Sequence, residues 1–443
     1  MSYPLSSRKS SEVIAHDRDG PVTVGTLMTE SAALAKRLPR SRYAINLHSN
    51  RLDYLRGFCA AMTAGHCTLM PTNREPETLR ELERAFPDSY RLGDSNNRDS
   101  AETHGVDDAP EARTPDIEKE QPAIIAFTSG STGEAMATEK SWHTLCQGTR
   151  NNHLSLFGDI SKPIHLLATV PPQHMWGFEM TVLLPLMAPV AISRHSPFFP
   201  LDVAEALAAL PEPRVLVSSP LHLRTLMMSG VAFPPLQRVY TATAPLSSAE
   251  ATELEAYFNT EVTDVFGCSE SGIIAVKRTS RDDRWHLTPP FTLESTASGT
   301  LIRAEHLRDD VLLPDQLELI DSRTFKWMGR HKDMINIAGK RGSLADLNTR
   351  LLRIEGVRDG VVFQPEGKHR LAAMVVAPEL TRAEVIRALK PQVDPAFIPR
   401  PIYMVEELPR LETGKLSRSR LLALFDTLRS GANPRNAGEA SDQ

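Results

Sequence analysis

The chain has 443 residues, of which 41% are hydrophobic and 24% are charged, a composition typical of a folded globular protein. A formal net charge of −5 argues against a nucleic-acid-binding surface, and no apolar run reaches the length of about 20 residues that a membrane helix requires. Cys59, Cys67, Cys146 and Cys268 form no C-x-x-C pair, which predicts reduced thiols and a cytoplasmic protein.

The first part of the chain alternates helical and strand-like patterns. Residues 51–65 predict an amphipathic helix, and residues 67–70 predict a short strand. Residues 95–121 are polar and carry few large apolar side chains. Such a stretch cannot bury enough area to offset its ordering entropy, so we expect a surface segment there.

Strand-like and helical patterns then alternate again over the middle of the chain. Short apolar strands separated by helices indicate a doubly wound α/β sheet, the architecture predicted for a large N-terminal domain. The strands are predicted at residues 123–127, 164–170, 190–193, 215–218 and 239–241, and the helices at 203–210 and 221–229.

The pattern changes near residue 332, where we predict the start of a small α+β domain. Thr381 and Glu384 have the spacing of a capping box and predict the start of a helix. The predicted organisation is a large domain at 1–330, a small domain at 333–428 and a disordered tail at 429–443. Within the small domain, helices are predicted at 344–354, 384–389 and 417–428, and strands at 360–363, 371–376 and 402–405.

A loop of small residues follows the strand predicted at 123–127. Its glycines allow close backbone approach, and successive backbone amides in such a turn suit a triphosphate. The Walker spacing is absent, which argues against P-loop kinases and ATPases. An ordinary surface loop rich in serine and glycine is the alternative. The loop consists of Thr128, Ser129, Gly130, Ser131, Thr132 and Gly133.

The segment from Phe127 to Glu134 resembles the phosphate loop of the adenylate-forming superfamily, which includes acyl-CoA synthetases, peptide-synthetase adenylation domains and luciferases. The resemblance implies a site for ATP. Ala135 and Met136 stand where that family usually has proline and lysine. We therefore predict that Lys140, placed on the following helix, supplies the missing cation. A solvated lysine at a helix end is the alternative.

A second motif, VFGCSE, ends at Glu270. It resembles the family segment in which an aromatic ring stacks on adenine and a glutamate helps to hold Mg²⁺ on the phosphates. The resemblance assigns Phe266 and Gly267 to the nucleotide site and Glu270 to the metal, a role that suits a carboxylate oxygen. Read alone, the motif would be a strand end with a surface glutamate.

Two looser matches complete the nucleotide site. The segment TATAPL resembles the family's turn beside adenine and the acyl group, which implies contacts from Ala242 and Thr243, although the family usually has a glycine in this stretch. Asp315 stands where the family has an aspartate that binds the ribose hydroxyls. A core strand and an isolated surface aspartate are the respective alternatives.

Two late motifs carry positive charge. The segment WMGRHKDMIN resembles the family's hinge, which implies that Arg330 contacts ribose or phosphate and that the small domain turns about Lys332. The segment LPRLETGK resembles the motif whose lysine approaches the substrate carboxylate and the α-phosphate. Lys415 is therefore the predicted catalytic lysine, because a desolvated ammonium stabilises charge that develops at phosphorus.

The acyl pocket is predicted from VPPQHMWGFE, which corresponds to the family segment with a histidine near the substrate carboxylate. We assign that role to His174. Trp176, Gly177 and Phe178 offer flat walls that favour a planar acid, and Ser219 is predicted to line the far side. A plain core cluster is the alternative for the aromatic residues.

The loop, the K-x-W run ending at Trp142 and the P-P-x-H-M-W-G segment resemble stand-alone ligases of aryl-polyene and xanthomonadin pigment pathways. That resemblance implies 4-hydroxybenzoate as the acid and a separate acyl carrier protein as the acceptor. One alternative is an aryl- or acyl-CoA synthetase that uses free CoA. Another is a non-catalytic nucleotide-binding relative, which Ala135 and Met136 would favour.

Overall fold

A computed structural model describes residues 1–93, 113–129, 135–158, 162–296, 299–313, 315–330, 334–337, 340–365, 370–410 and 416–430. Contacts divide the chain into two units. The predicted limits 1–330 and 333–428 remain a prediction, and residues 431–443 of the predicted tail lie outside the described ranges. The first unit comprises Met1–Glu294, Leu301–Val311 and Ile320–Phe325, and the second comprises Ser295–Thr300, Leu312–Leu319 and Lys326–Gln443.

The strands are short, as the sequence predicts. They are β1 Ser2–Pro4, β2 Val13–Asp17, β3 Gly20–Thr23, β4 Tyr43–Asn46, β5 Cys67–Met70, β6 Ser89–Leu92, β7 Asp116–Glu118, β8 Pro122–Ser129, β9 Ala135–Ser141, β10 Ile164–Ala168, β11 Val190–Ser193, β12 Arg214–Ser218 and β13 Arg238–Thr241. They continue with β14 Val262–Cys268, β15 Gly272–Lys277, β16 Trp285–Leu287, β17 Thr292–Thr296, β18 Gly299–Arg303, β19 Val311–Leu313, β20 Asp315–Leu319, β21 Thr324–Arg330, β22 Met334–Ile337, β23 Lys340–Ser343, β24 Asp359–Phe363, β25 Ala372–Val376 and β26 Ile402–Met404.

The helices alternate with these strands through most of the first unit. They are α1 Val24–Ala35, α2 Arg51–Thr63, α3 Pro76–Ala85, α4 Trp142–Phe157, α5 Met175–Phe178, α6 Leu184–Met187, α7 Pro200–Ala208, α8 Pro220–Met228, α9 Ser248–Phe258, α10 Leu344–Leu352, α11 Arg382–Leu389 and α12 Arg418–Arg429. A π-helical turn, Glu179–Leu183, joins α5 to α6.

The large sheet of the first unit runs from β21 through β16, β15, β14, β13, β12, β10, β11 and β2 to β3. Its central strands, from β14 to β2, are parallel. A parallel sheet is covered on both faces, which explains why Val215, Leu216 and Val217 of β12 are all buried. The predicted doubly wound α/β class is confirmed.

A second sheet has the order β6, β4, β5, β8, β9, with β9 antiparallel to β8. Helix α2 contacts β4 and β5 of this sheet and β11 of the larger one. The expectation that this helix is amphipathic is wrong, because its residues from Leu52 to Met62 are buried apart from Asp53. A helix enclosed between two sheets needs no polar face.

Two placements in the first unit differ from the sequence prediction. Lys140 lies in β9, opposite Ile124, and not on a helix. Exposure alternates along β9, with Ala137 and Glu139 exposed and Lys140 buried, as a strand requires. The polar segment predicted at 95–121 also contains a strand, β7, which pairs with β1; residues 94–112 lie outside the described ranges.

The second unit contains the hairpin β22–β23 and the sheet β24–β25–β26, with α10, α11 and α12. The predicted capping box is confirmed: Thr381 Oγ1 accepts from the Glu384 amide, and Glu384 Oε2 accepts from the Thr381 amide at 2.8 Å. None of the described helices combines the length and apolar composition needed to cross a membrane.

Candidate active site

Most of the predicted site residues in the first unit follow neighbouring parallel strands. In the register of the sheet, Ser218 at the end of β12 lies opposite Thr241 at the end of β13, and Thr241 lies opposite Asp264 of β14. The carboxyl ends of these strands therefore meet at one edge. In open α/β sheets this edge is where ligands bind.

The predicted phosphate loop begins at the end of β8. The backbone of Thr128 and Ser129 forms the last residues of that strand, and Ser129 pairs with Ala135 at the start of β9. The remaining loop residues, Gly130, Ser131, Thr132 and Gly133, lie outside the described residues. The loop thus connects two antiparallel strands, β8 and β9. Lys140 lies on β9, the strand that follows the loop directly in sequence.

Glu270 lies in the turn between β14 and β15, and its side chain is half-buried. A register shift between Phe266 and Gly267 bends β14 just before this turn. A Cβ atom on Gly267 would lie 2.2 Å from the Gly272 carbonyl oxygen, so the close approach requires glycine. The Phe266 ring packs against Trp285 at a centroid distance of 5.3 Å. Its predicted contact with adenine stays a prediction.

Lys140 reaches the same turn from β9. Its Nζ donates to the Glu270 carbonyl oxygen at 2.6 Å, and the residue is 3% exposed. Burial lowers the pKa of this ammonium, while the nearby charges of Glu179 and Glu270 oppose the shift. The alternative of a solvated lysine at a helix end is therefore wrong. The predicted contact with ATP phosphates stays a prediction.

Glu179 is a charged residue that sequence reasoning did not assign. Its carboxylate is buried and accepts hydrogen bonds from Asn152 Nδ2 at 3.2 Å and from the Ile273 amide at 3.3 Å. Burial raises the pKa of Glu179 to about 7, an effect that the positive charge of Lys140 opposes. The available signal was an acidic residue inside the apolar run 175–187.

The predicted acyl segment follows β10 and forms the short helix α5. His174 is the residue before this helix and is half-buried. Gly177 packs on the backbone of Pro171. Phe178 is 0% exposed and meets Phe58 edge to face at 5.0 Å, so its ring belongs to the core. Trp176 is also buried, and its Nε1 has no hydrogen-bond partner among the described residues.

Ser219 and Ala242 follow β12 and β13. Ser219 is the N-cap of α8, and its Oγ accepts from the His222 amide. Ala242 is buried directly after Thr241, whose Oγ1 is buried with no partner among the described residues. The residues at and after the ends of β12 and β13 thus place small side chains, and the buried Thr241 hydroxyl, at the edge where the carboxyl ends of the parallel strands meet.

Thr243, the next residue, is exposed and has φ = 83°. A β-branched residue rarely adopts this left-handed conformation, which costs about 1–3 kcal/mol and is common at functional sites. We expect Thr243→Gly to raise the free energy of unfolding by about 1 kcal/mol, since glycine relieves the strain but loses more chain entropy. Urea denaturation measures this change. An unchanged or lower midpoint would contradict the strain.

The remaining predicted residues lie in the second unit or outside the described residues. Asp315 is 6% exposed, and its Oδ1 accepts from Trp327 Nε1 at 2.7 Å, so the alternative of a surface aspartate is wrong. The backbone of Arg330 ends β21. Lys332 and Lys415 lie outside the described residues.

Glu270 suits the metal that the resemblance implies. Mg²⁺ in nucleotide sites is commonly held by one or two carboxylates together with substrate phosphates, so a dedicated protein cage is unnecessary. Within the described part of the chain, no group of three or more His, Cys, Asp or Glu side chains could hold a metal ion. A single, half-exposed carboxylate fits this mode of binding.

Comparisons with known proteins agree with this geometry. A 3,4-dihydroxybenzoate–[aryl-carrier protein] ligase of Bacillus anthracis is 26% identical, over 68% of this chain and 74% of that protein. A 4-coumarate–CoA ligase of Halorhodospira halophila is 27% identical, over 68% and 76%. An o-succinylbenzoate coenzyme A synthetase from Bacillus subtilis, in complex with ATP and magnesium, has a TM-score of 0.78 at 16% identity, over 95% of this chain and 100% of that one.

A model of the family described as AMP-binding enzyme matches residues 50–295, more than half of the chain. The matched range contains β8, β9 and the strand ends from β10 to β14, which carry the site described above. The chain therefore belongs to the AMP-binding enzyme family and is an adenylate-forming acid–thiol ligase that uses ATP.

Proposed function

We propose that this enzyme activates an aromatic acid, 4-hydroxybenzoate in the first instance, and transfers the aryl group to the phosphopantetheine thiol of an acyl carrier protein. The observation that carries the proposal is Trp176, whose buried Nε1 has no acceptor among the described residues. Buried donors are nearly always paired, so a substrate oxygen beside a flat indole would complete this one. Two relatives named for hydroxylated aryl acids support the same substrate class.

The first half-reaction joins the acid to the nucleotide. A carboxylate oxygen attacks the α-phosphorus of ATP, the bond from that phosphorus to the bridging oxygen breaks, and pyrophosphate leaves. Two anions must meet, so each charge-assisted hydrogen bond, worth about 1.5–3 kcal/mol, lowers the barrier. We assign Lys415 to the α-phosphate, Arg330 to ribose or phosphate, and His174 to the substrate carboxylate. Bound Mg²⁺ neutralises phosphate charge, and Glu270 would hold it.

Several residues are proposed to hold the nucleotide and the acid without reacting. The loop from Thr128 to Gly133 would surround the phosphates with backbone amides. Phe266 would stack on adenine, and Asp315 would accept from the ribose hydroxyls. For the acid, we propose that Ser219 and Ala242 lie across the pocket from Trp176. The core position of Phe178 argues against a direct contact from that ring.

In the second half-reaction the phosphopantetheine thiol attacks the carbonyl carbon of the acyl-AMP, and AMP leaves as the thioester forms. We propose that the small domain turns about Lys332 between the two steps, a hinge movement that removes Lys415 and admits the thiol. We further propose that the enzyme is cytoplasmic, since its cysteines Cys59, Cys67, Cys146 and Cys268 are all free. Its product is proposed to be a starter unit for an aryl pigment.

Free CoA is the second candidate acceptor, because the relative from Halorhodospira halophila is named as a CoA ligase. The test has two stages. Pyrophosphate release is screened with 4-hydroxybenzoate, 3,4-dihydroxybenzoate, 4-coumarate, benzoate and octanoate. Thioester formation is then compared with CoA and with a phosphopantetheinylated carrier protein. We expect the hydroxybenzoates and the carrier to be preferred. Preference for octanoate would contradict the aryl pocket, and equal use of CoA would contradict the carrier assignment.

A further inference from the structure

The turn that carries Glu270 is held from inside the protein at two points. The Lys140 ammonium donates to the Glu270 carbonyl oxygen at 2.6 Å. Three residues later, the Ile273 amide donates to Glu179 Oε1 at 3.3 Å. Neither contact uses the Glu270 carboxylate, and the side chain of Glu270 is half-buried. Two buried side chains, Lys140 and Glu179, therefore hold the backbone around Glu270 without engaging its carboxylate.

Gly272 makes the second contact possible. Its φ of 77° is a conformation that favours glycine, and a Cβ atom there would lie 2.6 Å from Glu179 Oε1. The carboxylate thus occupies the space that a side chain at position 272 would fill. Asn152 Nδ2 of α4 donates to the same oxygen at 3.2 Å, which gives Glu179 a second fixed contact. The position of the turn is therefore coupled to α4 and to the π-helical turn that begins at Glu179.

Both Lys140 and Glu179 are buried ionisable groups. Lys140 is 3% exposed and Glu179 is 8% exposed, and burial alone disfavours the charged form of both. The charge on Lys140 lowers the pKa of Glu179, and the charge on Glu179 raises the pKa of Lys140. Each side chain contacts the backbone through its own hydrogen bond, Lys140 at the Glu270 carbonyl oxygen and Glu179 at the Ile273 amide.

We propose that Lys140 and Glu179 are positioning residues for Glu270: together they hold the turn from Ser269 to Ser271 so that its carboxylate meets Mg²⁺ on the nucleotide. The inference rests on the proposed function through the metal role of Glu270. It gives Lys140 a role different from the direct phosphate contact expected from the sequence, because its ammonium is engaged by a backbone oxygen. It also gives Glu179 a role that no phosphate-binding motif predicts.

Binding of ATP, measured by calorimetry without any carboxylic acid, separates the two roles. If Lys140 and Glu179 position the metal ligand, Lys140→Met and Glu179→Gln each raise the Mg²⁺ concentration for half-maximal ATP binding by about 10-fold or more, the usual cost of losing support behind a metal ligand. When EDTA removes the metal, both variants are expected to bind ATP with the affinity of the unchanged protein. If Lys140 instead contacts phosphate, Lys140→Met weakens ATP binding equally in EDTA, and Glu179→Gln, which removes an anion, does not weaken it.

Three further variants complete the design. Glu270→Gln is the reference for loss of the metal ligand, and an unchanged Mg²⁺ dependence in this variant would overturn the metal assignment on which the inference rests. Arg8→Met removes another buried cation that donates to backbone carbonyls, those of Pro185 and Val190, and should leave the Mg²⁺ dependence unchanged. Glu179→Gln keeps an oxygen for the Ile273 amide, so it stays informative if Lys140→Met does not fold. A double variant, Lys140→Met with Glu179→Gln, should raise the required Mg²⁺ concentration further, and an unchanged Mg²⁺ dependence in the double variant and both single variants would overturn the positioning role.

Discussion

Replacement of Lys415 by alanine should abolish formation of the acyl-adenylate and leave thiol attack on pre-formed acyl-AMP largely intact. The ammonium is assigned to the charge that develops at the α-phosphate, and the loss of one such group costs about 10²–10³-fold in rate. The second half-reaction expels AMP and forms no new bond to phosphorus. In the hinge scheme, the small domain has by then carried Lys415 away.

Two assays on the same preparation separate these steps. Pyrophosphate release reports the first half-reaction, and thioester formation from synthetic aryl-AMP and the phosphopantetheinylated carrier reports the second. Lys390→Ala is the matched control, because Lys390 is an exposed lysine of the same unit at the end of α11. The control should retain both activities. Equal loss of both half-reactions in Lys415→Ala would contradict the assignment.

Features that depend on neighbouring residues were predictable from the sequence. The capping box of Thr381 and Glu384 closes over four residues, and the short strands of the large sheet are marked by local runs of buried apolar side chains. Their alternation with helices was enough to predict the doubly wound class. The motifs beside those strands also predicted ATP and Mg²⁺, because each motif carries its chemistry within a few residues.

Features that depend on distant residues were not predictable. The partner of Lys140 lies 130 positions away, and Glu179 meets the backbone of Ile273 across 94 positions. The sequence prediction placed Lys140 on the following helix, yet pairing with β8 puts it in β9 with its side chain buried. Burial of Phe178 likewise depends on Phe58 of α2. Periodicity describes one element at a time and does not show which elements enclose a side chain.

Replacement of Gly177 by alanine should have the second large effect, on both stability and substrate affinity. A Cβ atom at this position would lie 2.0 Å from the Pro171 carbonyl oxygen, far inside any real contact, so α5 must move. The Gly177 carbonyl oxygen also accepts from Oγ1 of Thr181, a residue of the π-helical turn, at 2.6 Å. Overpacking of this kind costs about 1–3 kcal/mol. Because α5 carries Trp176 and follows His174, we also expect a higher KM for the acid.

Gly148 supplies the matched control for that variant. It lies in the middle of α4, and a Cβ atom there would be 3.6 Å from His306 Nε2, an ordinary van der Waals distance. Glycine inside a helix costs about 1 kcal/mol relative to alanine, so Gly148→Ala should stabilise the protein. Urea denaturation of the two variants should therefore shift the midpoint in opposite directions. If the Gly177→Ala protein keeps both its urea midpoint and its KM for the acid, α5 can move without any loss of stability. That result would remove the reason for placing Trp176 in a rigid acyl pocket.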